Sequence, residues 1–250
     1  MLNIVLPMAG HGSRFARAGY ADPKPMIKIG RQTMIERVVN NLRPRQVHRF
    51  IFLCQQAHIE RYGLDSHLNT IAPGCVVIPI SEVTQGAACT VLLARAFIDT
   101  DAPLMIANCD QYVVIDINDY LQHLQASGLA GLIMTMTAND PKWSFVRLDA
   151  SDNIAEVVEK KVVSNEATVG IYNFSHGRDF VAAADAMIAK DMRVNGEFYV
   201  APAYNEMLAM GLRLGRYNIG RDQAGMHGLG TPEDLDKFMS HHFARLLGST

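Results

Sequence analysis

The chain has 250 residues, 49% hydrophobic and 19% charged, enough for one large globular domain. Its net charge of -2 and pI near 6.5 exclude the basic surface with which nucleic-acid and membrane-surface binders meet phosphate. Cys54, Cys75, Cys89 and Cys109 lack C-x-x-C spacing and read as reduced thiols, not disulfides or zinc ligands. No apolar run approaches the ~18 residues of a membrane helix. No basic stretch precedes an apolar one at the start, so the expectation is a soluble, cytoplasmic protein.

Strand and helix patterns alternate along the chain. Residues 3–8, with Ile4-Val5-Leu6, read as a buried strand bounded by turn signals. Residues 32–42 place Met34, Ile35, Val38, Val39 and Leu42 at helical spacing. A strand (49–54), a helix (56–69), a strand (75–79) and a helix opened by Gly86 (85–97) follow. Then come a strand (103–107), a helix (117–127) and a strand (130–137). This alternation predicts a mostly parallel sheet with helices on both faces. After residue 140 the pattern changes. Residues 144–149 and 153–159 flank Ala150-Ser151-Asp152 as a hairpin. A strand (168–174), helices (177–190 and 198–211) and a strand (213–219) precede a last helix, with Thr231 as N-cap and Pro232 at its first position. His241-His242 falls in a polar tail and reads as solvated.

Chemistry concentrates after the first strand, in Ala9-Gly10-His11-Gly12-Ser13-Arg14 and, ten residues on, Pro23-Lys24-Pro25. Glycines at 10 and 12 let the backbone approach a ligand closely, and turn N–H groups cradle anions. Arg14 and Lys24 add the positive charge that suits a triphosphate. Neither the dinucleotide fingerprint nor the Walker A pattern fits. Asp110 in Asn108-Cys109-Asp110-Gln111 follows an apolar strand, where open parallel sheets bind ligands. It would hold Mg²⁺ or cap the next turn. Gln85 would read a nucleobase edge with its amide, or merely precede a helix.

The string Leu6-Pro7-Met8-Ala9-Gly10-x-Gly12-Ser13-Arg14-Phe15, then Pro23-Lys24, resembles the signature of the sugar-1-phosphate nucleotidyltransferases, or sugar-nucleotide pyrophosphorylases. Gln85-Gly86-Ala87-Ala88 resembles that family's Q-G-T-A, and Val157-x-Glu159-Lys160 its V-x-E-K-P, with Lys161 in place of proline. Thr168-Val169-Gly170-Ile171-Tyr172 resembles N-T-G-I-Y without the asparagine. Met226 to Leu235 resembles W-x-D-x-G-T-P-E-D-L, with Gly228 where the second metal-binding aspartate stands. His227 is then a candidate substitute, as a ligand or a phosphate contact. The resemblance implies an α/β, Rossmann-like (GT-A-like) three-layer sandwich with a mixed, mainly parallel sheet. It implies one domain over 1–250, with a nucleotide-binding half (about 1–140) and an acceptor-binding half (about 141–240).

By the same resemblance Arg14, Lys24 and Asp110 are catalytic, and Asp110 binds Mg²⁺. Leu6, Ala9, Gly10, Gly12, Ser13, Gln85 and Gly86 bind nucleotide; Glu159, Lys160 and Gly170 bind the acceptor. Trp143-Ser144-Phe145 and Glu197-Phe198-Tyr199 are further candidates for the acceptor wall. The implied substrates are an NTP, preferably pyrimidine, and a sugar 1-phosphate or similar phosphorylated small molecule, with pyrophosphate released. The product would feed surface polysaccharide synthesis, and family members often form homo-oligomers. A cytidylyltransferase for a non-sugar acceptor such as phosphocholine, a glycosyltransferase on a related fold and a non-catalytic nucleotide sensor remain alternatives. Asn108-Cys109-Asp110, with one carboxylate instead of Asp-x-Asp, weighs against the glycosyltransferase.

Overall fold

The structure, a computed structural model, describes residues 1–10 and 12–247, with side chains as far as Ser240. His11 and the side chains of His241 and His242 lie outside the described residues.

The chain opens with β1 (Leu2–Met8), α1 (Ser13–Arg17) and a 3-10 turn at Lys24–Met26. A two-residue ladder, β2 (Lys28–Ile29) and β3 (Gln32–Thr33), leads into α2 (Met34–Leu42). Thr33 and Glu36 form a reciprocal capping box that fixes where α2 starts. Next come β4 (His48–Gln55), α3 (Gln56–Tyr62), α4 (Leu64–Ile71) and β5 (Val76–Ile80). The single helix expected over 56–69 is broken because Gly63 adopts φ 61° between the two pieces. Then α5 (Ala87–Leu92), α6 (Arg95–Ile98), β6 (Leu104–Ala107), β7 (Gln111–Val113) and α7 (Ile117–Ser127) lead to β8 (Gly131–Thr137).

The second half contributes β9 (Ser144–Leu148), β10 (Ile154–Glu159), β11 (Glu166–Phe174) and α8 (Gly177–Ala189). It ends with α9 (Ala203–Ala209), β12 (Leu214–Arg221), β13 (Met226–Gly228) and α10 (Pro232–Leu247). Helix α9 is shorter than the pattern over 198–211 predicts. The Phe198 N–H donates to the Gln85 carbonyl, and the Phe198 carbonyl accepts from the Ala88 N–H, so this backbone is already spent on a loop contact.

Among the described residues one nine-stranded mixed sheet runs through the molecule. Strands β5, β4, β1 and β6 are parallel neighbours. Strand β11 reverses direction beside β6 and also pairs with β8 and β9. Because successive side chains point to opposite faces, β1 feeds two cores at once. Ile4, Leu6 and Met8 join Ile35, Tyr120 and Phe238 on one side; Val5 joins Val91, Phe180 and Tyr204 on the other. Helices therefore cover both faces, the three-layer arrangement the alternation calls for. Buried Tyr120 and Tyr204 donate to the carbonyls of Leu132 (2.6 Å) and Asn173 (2.9 Å), so neither hydroxyl is left without a partner.

This topology places the site. The parallel strands β1 and β6 end side by side, so the loop after Met8 and the segment after Ala107 emerge together. The β9–β10 hairpin lies beyond the end of β6, on the edge of β11 that β6 leaves free.

Candidate active site

Gly12 takes φ 60° at the head of α1, and its carbonyl accepts from the N–H groups of Phe15 and Ala16. The Gln55 amide donates to the carbonyls of Ala9 (2.8 Å) and Gly10 (3.1 Å), holding the loop against β4. Lys24, between Pro23 and Pro25, reaches 86 residues along the chain to pair with Asp110 Oδ2. Burial alone would lower the Lys24 ammonium, but the Asp110 carboxylate outweighs it and the pKa stands above the ordinary value. Cys109, directly before Asp110 and buried, is pushed up to about 11 by desolvation and stays a thiol.

Two cavities meet at this ion pair. One, of about 420 Å³, is lined by Ala9, Gly10, Gly12, Ser13, Arg14 and Lys24 at one end. At its other end stand Val83, Thr84, Gly86, Ala87 and Thr90. The other, of about 680 Å³, is walled by Lys142, Trp143, Ser144, Glu159, Lys160 and Tyr199, with Asn108, Gln111, Thr168, Gly170 and Tyr172 also lining it. Arg14, Ala87, Asp110, Glu197 and Gly230 line both.

Most of the residues singled out in the sequence converge here. Of those assigned to catalysis, nucleotide or acceptor, two line neither cavity. Leu6 is fully buried in the core. Gln85 turns its side chain to Arg193, which donates to its Oε1 at 2.7 Å. The backbone of neighbouring Gly86 faces the cavity instead, packed so tightly that a Cβ there would lie 2.5 Å from the Phe198 backbone. Phe145 and Phe198 are core residues, whereas their neighbours Trp143, Ser144, Glu197 and Tyr199 line the larger cavity.

In the wall of the larger cavity, Ser144 and Glu159 are cross-strand partners, and the serine hydroxyl donates to Glu159 Oε2. Burial raises the Glu159 carboxyl, and the Ser144 hydrogen bond partly offsets it. Lys160 sits at φ 54°, a left-handed conformation that side chains other than glycine and asparagine rarely take. Its ammonium bonds the Tyr199 hydroxyl and lies 4.4 Å from that ring's centre.

The segment from 226 to 234 closes the site. The Leu229 N–H donates to the Asp110 carbonyl at 2.7 Å, drawing Gly230 so near that a Cβ there would stand 2.8 Å from Asp110 Oδ2. At Gly228, a Cβ would stand 3.5 Å from the carboxylate of Asp234. Asp234 lines the larger cavity and is a second aspartate there beside Asp110. His227 is 6% exposed, packs against Tyr112 and Phe238, and lines neither cavity.

The profile of the family described as nucleotidyl transferase matches residues 3–197. The chain belongs to that family. No curated protein matches it in sequence. Among solved structures this nucleotidyltransferase is similar to a nucleoside-diphosphate-sugar pyrophosphorylase from Vibrio cholerae RC9, at 24% identity and TM-score 0.79, over 95% of this chain and 99% of that one. It is similar to a protein assigned as a glucose-1-phosphate thymidylyltransferase from Bacillus anthracis, at 18% identity and TM-score 0.75, over 96% and 94%. It is also similar to a UDP-glucose pyrophosphorylase complexed with UDP-glucose, at 16% identity and TM-score 0.77, over 98% and 99%. At these identities the likeness is one of fold.

Among the described residues no group of three or more His, Cys, Asp or Glu would hold a metal by itself. The residues present nonetheless fit Mg²⁺, which binds through one or two carboxylates and keeps its other positions for water and substrate phosphates. Asp110 lies where the two cavities meet.

Proposed function

We propose that this nucleotidyltransferase moves NMP from an NTP, with a pyrimidine base preferred, onto a sugar 1-phosphate or similar phosphorylated small molecule, releasing pyrophosphate. The observation that carries this reading is the pair of cavities sharing Arg14, Asp110 and Gly230, one edged by the glycine turn and Lys24, the other by Glu159 and Lys160.

The triphosphate takes the smaller cavity, its β- and γ-phosphates against the backbone of Ala9, Gly10, Gly12 and Ser13 and against Arg14. The acceptor takes the larger one, its phosphate against Lys160 and its body against Glu159 and the backbone of Gly170. These assignments divide the chain into a nucleotide-binding half (about 1–140) and an acceptor-binding half (about 141–240) of one domain. An acceptor phosphate oxygen attacks the α-phosphorus in line, the bond to the β-phosphate oxygen breaks, and pyrophosphate leaves with the electron pair. A phosphate is already a nucleophile, so no general base is required. The protein positions the groups and neutralises charge. Lys24 supports the negative charge that builds at the α-phosphate. Mg²⁺, held by Asp110, would supply electrostatic stabilisation of the same phosphates. Activated sugars of this kind are precursors for surface polysaccharide, and four free cysteines accord with a cytoplasmic site of synthesis.

The test is pyrophosphate release with Mg²⁺ across UTP, CTP, dTTP, ATP and GTP, each against sugar 1-phosphates and small phosphorylated alcohols. Release that depends on one pair is expected. Lys24→Ala and Asp110→Ala should each lower kcat about a hundredfold or more. Unchanged turnover in both variants would overturn the assignment.

A further inference from the structure

A backbone strap ties the far edge of the smaller cavity to the wall of the larger one. The Phe198 N–H donates to the Gln85 carbonyl at 2.8 Å, and the Ala88 N–H donates to the Phe198 carbonyl at 3.0 Å. The approach leaves no room for a side chain at Gly86, which takes φ 126°. Side chains alternate along 197–199. Glu197 lines both cavities and Tyr199 the larger one, while Phe198 between them is 1% exposed in the core.

One side chain fastens this strap. Arg193 stands just before a tight turn in which Asn195 and Gly196 take φ 50° and 81°, closed by the pairing of Val194 with Glu197. Its guanidinium donates to Gln85 Oε1 at 2.7 Å, to the Gly196 carbonyl at 3.2 Å and to Asp191 Oδ1. It also lies 4.2 Å from the centre of the Phe198 ring. The ion pair with Asp191, whose side chain is 72% exposed, contributes little by itself. The bond to Gln85 and the contact with Phe198 matter more, because they join segments 108 residues apart. A planar fork of five donors can hold three partners at once, and a lysine ammonium cannot reproduce that geometry. Arg193 lines neither cavity.

We propose that Arg193 is a positioning residue that couples the two cavities. It fixes Glu197 and Tyr199, and through the Tyr199 hydroxyl Lys160, against the edge formed by Thr84, Gly86 and Ala87. A nucleotide seated on that edge then orders the acceptor wall before the acceptor arrives. This rests on the nucleotidyl-transfer reading. The ordering is borne once, by the first ligand, and linkage makes the benefit mutual.

The test uses Arg193→Met, which keeps the stem and removes the fork, and Arg193→Lys, which keeps the charge. Amide hydrogen exchange by NMR on the ligand-free protein reads the strap itself. The Ala88 and Phe198 amides should exchange about tenfold faster in Arg193→Met. The NTP and acceptor are the pair selected by pyrophosphate release from UTP, CTP, dTTP, ATP or GTP with sugar 1-phosphates and phosphorylated alcohols. Calorimetry then measures acceptor binding with Mg²⁺, alone and beside the α,β-methylene analogue of that NTP. The analogue should tighten acceptor binding to the wild-type protein about fivefold or more. In Arg193→Met the factor should fall toward one, with Arg193→Lys between the two. The acceptor KM should rise about tenfold in Arg193→Met.

Wild-type exchange rates at both amides in Arg193→Met would overturn the proposal. So would faster exchange with coupling and acceptor KM unchanged, which would make the arginine structural only. Absence of coupling in the wild-type protein, or full coupling in Arg193→Lys, would also overturn it. Nucleotidyl transfer stands in each of these cases. Silence of the wild-type protein across all the pairs would overturn both readings.

Discussion

Glu159 is more costly to ionise in this fold than in water, and Ser144 opposes that cost. Removing the serine hydroxyl in Ser144→Ala should raise the Glu159 carboxyl further. The sign follows from proton linkage. A carboxyl whose folded value stands above its ordinary 4.5 favours the native state below that ordinary value and loses the contribution as pH rises through the folded value. Ser144→Ala should therefore lose more stability at neutral pH than at pH 4, as read from urea denaturation midpoints. Acceptor binding by the ionised carboxylate should fail at a higher pH than in wild type, moving the acid limb of kcat/KM upward. An unmoved acid limb would separate Glu159 from the acceptor.

At this scale the sequence is legible where a residue type announces its chemistry. Arg14, Lys24, Asp110, Glu159 and Lys160 all reach the site. Asp234 is illegible because its place in the cavity depends on what lies across from it, Gly228, and no spacing in the chain encodes that. Gln85 carries an apt amide, yet a salt-bridged arginine 108 residues away claims it.

Among the elements, the β9–β10 hairpin carries part of the wall of the larger cavity, and its far end depends on one backbone angle. Lys160 at φ 54° lets its N–H donate to the Trp143 carbonyl at 3.1 Å while its side chain turns to Tyr199. Proline at 161, usual in the sequences this segment resembles, would push the preceding residue toward extended backbone. Lys161 leaves the left-handed angle open. Lys161→Pro is expected to destabilise the protein by about 1–3 kcal/mol and to raise the acceptor KM, measured by urea denaturation and steady-state kinetics. Unchanged values would mean that the turn carries no functional constraint. Long periodic elements were readable in advance, as α2, β4 and α7 show. Three-residue β7 and β13 were not, since neither spans enough residues for alternation to register.

For the whole molecule, the alternating first half and the altered second half described in the sequence become one sheet, not two. The join is β11, which runs antiparallel against β6 at its C-terminal end and against β9 nearer its start. That join was not visible in advance, because pairing partners of a strand are set by topology and not by its own residues. It brings the second-half residues of the larger cavity up to the carboxyl ends of β1 and β6.

The shared wall of Arg14, Ala87, Asp110, Glu197 and Gly230 has a stereochemical consequence. In the proposed reaction the entering group reaches the phosphorus from one cavity and the leaving group departs into the other, which permits a single displacement. A nucleotide made chiral by sulfur at its α-phosphorus should emerge in the product with inverted configuration, as phosphorus NMR would reveal. Retention would require two displacements and a nucleotidylated side chain between them.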